Sequence, residues 1–348
     1  MTGTKAITDH DIKLNNPDEQ QRVNDIYNRI RHTEPLISSD LISLTAKEGA
    51  NMDGLSFSVK TASSIEDKLA RMHRINPKST PSKDIMQMRD LVRYTEIVKH
   101  EDIPDATEKM IKALENKGYV HSGTKNYYAN PFRGTEYMGM HLNFISPYGS
   151  EIELQVHSKE SFAAKQEGHA LYEQLRSVSC KQETKEKLQK EIVAIHQSVS
   201  KPKGYERIKD FSLNLNDRER LMKEHMSKTA VLIRESENAE VYDVLKNGQK
   251  LMHGFEGRFS DGSMVAYQND YQHHRTRIAS LTKDGMEMSD VEAKSLELKP
   301  QQVEQIIEHQ ENVHEDWMKS HFGCVDIDLS IPLKETKQPT KTTDEMER

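Results

Sequence analysis

Two short stretches, far apart in the chain, each combine acidic residues with alternating apolar residues. They are Arg89-Asp90-Leu91-Val92-Arg93-Tyr94 and Glu151-Ile152-Glu153-Leu154-Gln155-Val156-His157. Alternation with a period of two is typical of a β-strand that buries one face. A carboxylate on such a strand is usually only a solvated surface group. Two strands that present one carboxylate each can, however, share a Mg²⁺ ion and organise phosphate chemistry, and the pattern raises this hypothesis.

The size and charge of the chain limit the classes of protein to which it can belong. Its 348 residues, 34% of them hydrophobic, suffice for one core of roughly 150 to 200 residues and a smaller second unit. The formal net charge of −7 disfavours tight non-specific binding to DNA or to an anionic membrane. Nucleotides remain compatible partners.

Cysteine usage and hydropathy point to an intracellular protein. Cys180 and Cys324 are the two cysteines, with no Cys-x-x-Cys pair, so neither a structural zinc nor a secreted disulfide framework is indicated. Residues 1–20 are polar, and the chain has no apolar run of about 18 residues. We therefore expect a soluble, cytoplasmic protein without a membrane partner, and secretion as an effector stays open.

Apolar spacing and turn residues predict an α+β fold, with a mixed β-sheet flanked by helices and a smaller C-terminal α+β unit. Helices are expected as two amphipathic segments within 17–50, as one that opens at Ser63, and over 103–117, 158–175, 183–200 and 299–319. Strands are expected over 54–60, 90–98, from Tyr119, and over 141–146, 151–157, 231–233, 241–245, 252–259 and 264–267, with a turn at 79–82 and a hairpin of 141–146 with 151–157. The predicted organisation is a helical segment at 1–50, a main domain at 51–200, a linker at 201–204, a second domain at 205–330 and a disordered tail at 331–348.

Five short motifs follow one another between residues 55 and 176. They are Lys60-Thr61-Ala62-Ser63-Ser64-Ile65-Glu66-Asp67-Lys68, the strand that starts at Asp90, Tyr137-Met138-Gly139-Met140-His141, Glu153-Leu154-Gln155 and Gly168-His169-Ala170-Leu171-Tyr172. Each motif alone is common, but five in order over about 120 residues are specific. This segment, about a third of the chain, resembles the RelA/SpoT-like nucleotidyltransferase family, which has the alarmone synthetase fold.

The resemblance implies an enzyme that uses Mg²⁺ to move pyrophosphate from ATP to the 3′-hydroxyl of a guanine nucleotide. It implies that Asp90 and Glu153 are catalytic and hold the ion, and that Glu153 can also accept the hydroxyl proton. ATP-binding residues would be Lys60, Lys68, Ser64, Arg93 and Arg89. Acceptor-binding residues would be Tyr137, which stacks on the base, and His141, Gln155, His157, Arg133 and His169. His169 also belongs to a helical stripe with Phe162, Lys165 and Tyr172, which packing explains equally well.

Three positions depart from the family pattern. Ser58, Thr95 and His157 stand where the family carries arginines that sandwich the adenine and clamp phosphates, and serine or threonine does not replace a guanidinium. Arg93, Arg89 and Arg133 are candidate substitutes. These changes resemble the divergent branch of the family found among toxins and secreted effectors.

Three functional hypotheses follow from these features. The first is a pyrophosphokinase that acts on a free guanine or adenine nucleotide. The second changes the acceptor to the 3′ end of tRNA and requires a basic patch around Lys83, Arg89, Lys125 and Arg133. The third is a non-catalytic nucleotide sensor or interaction module. No paired His-Asp signature of an alarmone hydrolase is evident, and the partner of the C-terminal unit is unknown.

Overall fold

A computed structural model of the chain describes residues 11–48, 50–176, 180–236, 239–258, 264–282 and 285–292. These residues belong to two compact units. The first is Asp11–Thr229, and the described part of the second runs from Ala230 to residue 292. None of the helices in these ranges has the length and apolar character needed to cross a membrane.

The first unit is a six-stranded mixed sheet flanked by helices. Its helices are α1 (Pro17–Glu48), α2 (Ala62–Ile75), α3 (Pro81–Gln87), α4 (Ile103–Asn116), α5 (Lys159–Arg176), α6 (Gln182–Gln197) and α7 (Leu215–Lys228). Its strands are β1 (Asn51–Asp53), β2 (Val92–Ile97), β3 (Val120–Asn126), β4 (Met140–Ile145), β5 (Glu151–His157) and β6 (Phe211–Ser212). Their order in the sheet is β1-β2-β5-β4-β3-β6. β2 and β5 are parallel, whereas the other neighbours are antiparallel. The predicted α+β class and mixed sheet are confirmed.

The N-terminal segment is one long helix, so the prediction of two helices was wrong. Pro35 lies inside α1, where a proline removes one backbone donor and normally interrupts a helix. Apolar side chains on both sides of it, among them Ile30, Leu36 and Leu41, are buried in the same core. Burial of this shared face accounts for continuation of the helix through the proline.

The segment before the first predicted helix also differs from expectation. A strand over 54–60 does not form, because Gly54 turns the chain with φ 70° and Leu55–Phe57 make a single 3₁₀ turn. Within this segment, Val59 forms an isolated bridge with Val92. Helix α2 is capped by Thr61, whose hydroxyl accepts from the Ser64 amide, and not by Ser63.

The predicted turn at 79–82 is the start of a helix. Thr80 is the N-cap of α3, since its hydroxyl accepts from the Lys83 amide, and Pro81 occupies the first position, where its missing donor costs nothing,. Other elements agree closely with prediction. The hairpin of β4 and β5 is present, α5 and α6 occupy the expected segments, and Gly118, with φ 85°, follows α4,.

The first unit runs on to Thr229, past the boundary near residue 205 that the sequence suggested. Two contacts hold this extension. β6 pairs with β3, and the Arg218 guanidinium of α7 donates to both carboxylate oxygens of Glu151, at 3.0 Å from its Nε to each. These contacts tie 205–229 to the sheet, and the linker-like sequence at 201–204 did not signal them.

The described part of the second unit is an antiparallel sheet. Its strands are β7 (Thr229–Ser236), β8 (Ala239–Lys246), β9 (Gln249–Arg258), β10 (Met264–Asp270), β11 (Arg275–Thr282) and β12 (Gly285–Glu292), and they lie side by side in chain order. The first four were predicted as shorter segments. β11 and β12 were missed because their sequences carry few apolar residues. The predicted helix at 299–319 and the tail lie outside the described residues.

Candidate functional site

A cleft of about 380 Å³ lies in the first unit, within the size range of small-ligand sites,. It is bordered by β2, β4, β5, the loop after β3, and helices α5 and α6. The residues that line it are Asp90, Arg93, Tyr127, Phe132, Thr135, Tyr137, His141, Glu153, Gln155, Lys165, Gly168, His169, Tyr172, Ile192 and His196.

The parallel pairing of β2 and β5 brings the two acidic motifs together. Arg93 lies opposite Glu153 in the register, and Asp90 lies two residues before the start of β2. Because neighbouring parallel strands run in the same direction, residues at equivalent positions meet at one place in the sheet. Asp90 and Glu153, 63 residues apart in sequence, therefore line the same cleft.

Asp90 is held between two lysines. The Lys60 ammonium lies 3.2 Å from one carboxylate oxygen, and the Lys68 ammonium forms an ion pair with the other. Burial disfavours the charged carboxylate, but the two ammonium groups outweigh it and lower the pKa of Asp90 to about 2,. Lys60 and Lys68, on either side of the start of α2, thus reach the cleft through Asp90 and do not line it themselves.

Glu153 has a different set of neighbours. The Gln155 side-chain amide donates to its Oε1 at 2.5 Å, and His141 Nδ1 lies 3.5 Å from its Oε2. Burial raises the pKa of this carboxyl. The charge of His141 and the hydrogen bonds from His141 and Gln155 outweigh burial, so that the pKa is lowered to about 2,. Glu153 is therefore an anion at neutral pH.

Tyr137 links two histidines by hydrogen bonds. Its hydroxyl lies 2.7 Å from His141 Nε2 and 3.0 Å from His157 Nε2, and His157 Nδ1 lies 3.0 Å from the Ser161 hydroxyl. A tyrosine hydroxyl carries one proton, so it donates to one imidazole and accepts from the other. The chain of contacts runs from Glu153 through His141, Tyr137 and His157 to Ser161.

Burial keeps two members of this chain, Tyr137 and His157, in their neutral forms. It raises the pKa of Tyr137 well above its usual value, with a further contribution from the Glu153 charge. It lowers the pKa of His157 well below 6.5, and the nearby Lys165, His141 and His196 add to this effect,. His157 is therefore an uncharged imidazole at neutral pH.

The Tyr137 loop is tight because of Gly139. A Cβ at this position would lie 2.7 Å from the Tyr137 hydroxyl and 2.8 Å from His157 Cε1. The space beside this glycine is therefore taken by side chains of the same unit and not by a ligand. The Tyr137 ring meets the rings of Tyr127 and His196 edge-on, with centroids 5.4 Å apart in each case.

Besides Lys60, Lys68 and His157, three further predicted ligand-binding residues do not line the cleft. Arg89 Nε lies 3.7 Å from Glu151, and its Nη2 donates to the Ser212 hydroxyl at 3.0 Å. The Ser64 hydroxyl accepts from the Thr61 hydroxyl at 2.9 Å as part of the helix cap. Arg133 is exposed and does not belong to the lining.

The positions of the three absent arginines are buried, and none of the three lines the cleft. The Ser58 hydroxyl donates to Glu34 of α1 at 2.8 Å. Thr95 is 7% exposed, and His157 has the hydrogen bonds described above. These side chains serve packing, so any phosphate contact in the cleft must come from other residues.

Several lining residues were not predicted as binding residues. Tyr127 follows β3 and has no sequence signal beyond its place in an aromatic loop. Lys165 and Tyr172 line the cleft from α5 beside the predicted His169, and their spacing of four and three residues from His169 was the available signal. Three of the four residues of this stripe therefore face the cleft, whereas Phe162 does not line it. His196 lines the cleft from α6, and no motif or spacing in the sequence of this amphipathic helix marks it as a binding residue.

The donor set fits a magnesium ion. Asp90 and Glu153 are hard oxygen donors, and both are ionised at neutral pH. Mg²⁺ is commonly held by one or two carboxylates together with substrate phosphates and water. In the structure, Lys60 and Lys68 contact the Asp90 oxygens and the Gln155 amide contacts a Glu153 oxygen. A bound ion would replace some of these contacts.

No protein-family model matches the chain, and no curated protein matches it. Solved structures do match. The small alarmone synthetase 1 from Bacillus subtilis is 17% identical, with a TM-score of 0.38 over 50% of this chain and 90% of that one. The small alarmone synthetase 2 from the same organism is 18% identical, with a TM-score of 0.36 over 50% and 91%. The Type VI effector Tas1, solved with its immunity protein, is 17% identical, with a TM-score of 0.35 over 51% and 96%. Two of these proteins are alarmone synthetases, which the motifs resemble, but the likenesses assign no activity to this chain.

Proposed function

We propose that the first unit is a Mg²⁺-dependent pyrophosphotransferase that moves pyrophosphate from ATP to the 3′-hydroxyl of a nucleotide. The observation that carries this proposal is the meeting of Asp90 and Glu153 in one cleft. Each comes from a separate motif and each is ionised. Asp90 lies beside two lysines, and Glu153 lies beside a histidine and an amide. Two ionised carboxylates in a small cleft are a site for a divalent ion and a phosphorylated ligand.

The reaction requires one bond to form and one to break. The 3′-hydroxyl oxygen of the acceptor attacks the β-phosphorus of ATP, and the bond from that phosphorus to the oxygen bridging the α-phosphate breaks. AMP leaves with that oxygen, and the hydroxyl proton passes to a base. A bound Mg²⁺ would neutralise negative charge on the phosphates. Glu153, an anion in the cleft, is the proposed proton acceptor.

The hydrogen-bonded chain behind Glu153 would hold this base in place. His141 lies beside the Glu153 carboxylate, and its other nitrogen contacts the Tyr137 hydroxyl. A ring fixed at both nitrogens has a defined orientation and tautomer. We therefore assign Tyr137 to positioning His141, in addition to the contact with an acceptor base that its place in the lining permits.

A free nucleotide is favoured over tRNA as the acceptor. The cleft has the volume of a small-ligand site and an aromatic wall that includes Tyr127 and Tyr172, on which a base can stack. The basic patch that tRNA would require included Arg89, and this side chain is engaged with Glu151 and Ser212. Guanine and adenine nucleotides both remain candidates.

The test is a transfer assay with the full-length protein and γ-labelled ATP. GDP, GTP, ADP, AMP and bulk tRNA serve as acceptors, each with Mg²⁺ and with a chelator in its place. We expect label on one class of free nucleotide, release of AMP, and no transfer after chelation or in the Asp90→Asn variant. Label on tRNA alone would select the second hypothesis. Absence of both transfer and ATP binding would favour the non-catalytic interaction module.

A further inference from the structure

The cations in and around the cleft fall into two groups. Lys60 and Lys68 each form an ion pair with Asp90. Arg93 and Lys165 both line the cleft, and within the described ranges neither forms an ion pair with a carboxylate. The second group therefore brings positive charge to the cleft without a direct ion pair, although the Glu153 charge acts on both side chains.

Lys165 is held by neutral groups. Its ammonium donates to Gln155 Oε1 at 2.5 Å and lies 5.2 Å from the centre of the Phe162 ring. Burial lowers the pKa of this lysine to about 8, with Arg93 as a further cause, so that it is still mainly a cation at neutral pH. The Glu153 and Asp53 charges act on this ammonium without forming an ion pair with it, and its direct contacts are an amide and an aromatic ring, so its charge is incompletely compensated.

Gln155 sets the direction of this ammonium. Its Nε2 donates to Glu153 and its Oε1 accepts from Lys165. An amide has one donor end and one acceptor end, so the contact with Glu153 obliges the oxygen to face Lys165. Gln155 thus places a cation next to the proposed base.

Arg93 lies on β2, the strand that is parallel to the strand of Glu153. It is opposite that residue in the parallel register of β2 and β5, and its side chain is exposed. Lys165 on α5 and Arg93 on β2 therefore approach the same part of the cleft from two elements. A chain of phosphates is the anion that such a pair of cations would bind.

We infer that Lys165, positioned by Gln155, contacts the phosphate chain of the bound nucleotide together with Arg93. This inference rests on the proposed function and adds a binding residue on α5 that supplies charge in a cleft where Ser58, Thr95 and His157 supply none. Two cations favour a triphosphate over a monophosphate.

The experiment measures binding of inorganic tripolyphosphate, ATP and adenosine to the full-length protein by titration calorimetry. The variants are Lys165→Gln, Lys165→Arg and Arg93→Gln, and the matched control is Lys159→Gln, an exposed lysine of the same helix. We expect Lys165→Gln and Arg93→Gln each to weaken tripolyphosphate binding about 10- to 100-fold, the scale of one charged hydrogen bond. Lys165→Arg should recover most of the affinity. Lys159→Gln should bind as the wild type does.

Adenosine separates binding from packing, because it carries no phosphate. Its affinity should be unchanged in Lys165→Gln. Unchanged tripolyphosphate binding in Lys165→Gln, or an equal loss for adenosine and tripolyphosphate, would overturn the inference while leaving wild-type ATP binding and the proposed function intact. If the wild type binds neither ATP nor tripolyphosphate, both fail. If Lys165→Gln unfolds, Lys165→Met keeps the aliphatic stem over Phe162, and the same criteria apply to it.

Discussion

Glu151 and Glu153 lie two residues apart on β5, so their side chains point to the same face of the sheet, but their surroundings differ. The Glu151 side chain is 2% exposed, forms an ion pair with Arg218 and accepts from the Ser122 hydroxyl at 2.8 Å, and Arg89 Nε lies 3.7 Å from it. Glu153 is 15% exposed, borders the cleft, and is contacted by His141 and Gln155.

The difference shows that partners, and not the strand pattern, decide the role of an acidic residue. Around Glu151, permanent arginine charges leave no room for a ligand. Around Glu153, an imidazole and an amide leave the carboxylate open toward the cleft. A buried carboxylate paired with arginine is a structural element whose loss destabilises the fold, whereas an ionised carboxylate in a cleft is available for chemistry.

The largest expected effect concerns the contact between Glu151 and Arg218. Arg218→Met should lower the free energy of unfolding by about 3 kcal/mol, the lower end of the cost of leaving a buried charge unpaired, since Arg89 and Ser122 still contact Glu151. Urea denaturation measures this change. The folded fraction should keep its transfer rate.

The control for this prediction is Arg220→Met on the same helix. The Arg220 side chain is 64% exposed, and its ion pairs with Asp217 and Glu224 are 3.8 Å long, so the free energy of unfolding should change by less than about 0.5 kcal/mol. Equal effects of the two variants would contradict a structural role specific to Glu151 and Arg218.

A smaller effect is expected from the hydroxyl of Tyr137, which contacts the histidine beside Glu153. Tyr137→Phe keeps the ring but removes the hydroxyl that joins His141 and His157, which should cost about 1 to 3 kcal/mol of stability because buried imidazole nitrogens lose a partner. The transfer rate should also fall, since His141 loses its fixed orientation beside Glu153. Denaturation and initial rates are measured on the same preparation.

Tyr127→Phe is the matched control, because the Tyr127 hydroxyl makes no hydrogen bond to any residue that the structure describes. It should leave both stability and transfer rate nearly unchanged. A rate loss in Tyr127→Phe equal to that in Tyr137→Phe would mean that the hydroxyl contact to the two histidines has no special part in the reaction.

The third prediction concerns acid. His157 is buried and faces Tyr137, His141, Lys165 and His196, and its pKa in the folded state is well below 6.5. Below pH 6.5 the unfolded chain binds a proton that the folded state does not, so the free energy of unfolding should fall by about 1 kcal/mol for each pH unit. Urea denaturation at pH 7.5, about 6.5 and about 5.5 measures the slope.

His196 and His121 also have pKa values lowered chiefly by burial, and they contribute to the slope of the wild type. The variant His157→Gln isolates one residue, because the remaining histidines are retained. Its stability should depend less on pH in this window. An unchanged slope would show that His157 takes up a proton in the folded state without cost.

The sequence predicted the fold best where one local signal dominates. The β4–β5 hairpin follows from alternation and the Pro147-Tyr148-Gly149-Ser150 turn, and α4 ends as Gly118 indicates. The long helix α1 was divided wrongly because Pro35 is a strong local signal that burial of the surrounding apolar face overrides.

For the cleft, the sequence placed residues on elements but could not tell which partners they meet. Asp90, Arg93, Tyr137, His141, Glu153, Gln155 and His169 do line it. Arg89 was predicted beside Asp90, yet it contacts Glu151 and Ser212, 62 and 123 residues away. The position of the Lys165 ammonium in the cleft is set by its contact with Gln155 on β5. Residue spacing on α5 alone does not reveal this contact.

The most direct test of the central claim compares Glu153→Gln with Glu151→Gln in the same transfer assay, with rates divided by the folded fraction. We predict that Glu153→Gln folds with near wild-type stability and loses transfer by at least about 10²-fold, the scale of one electrostatic group in an active site. Glu151→Gln should unfold more easily and transfer at the wild-type rate per folded molecule. Retained transfer in Glu153→Gln, or an equal loss in the two variants, would contradict the division of roles between these carboxylates.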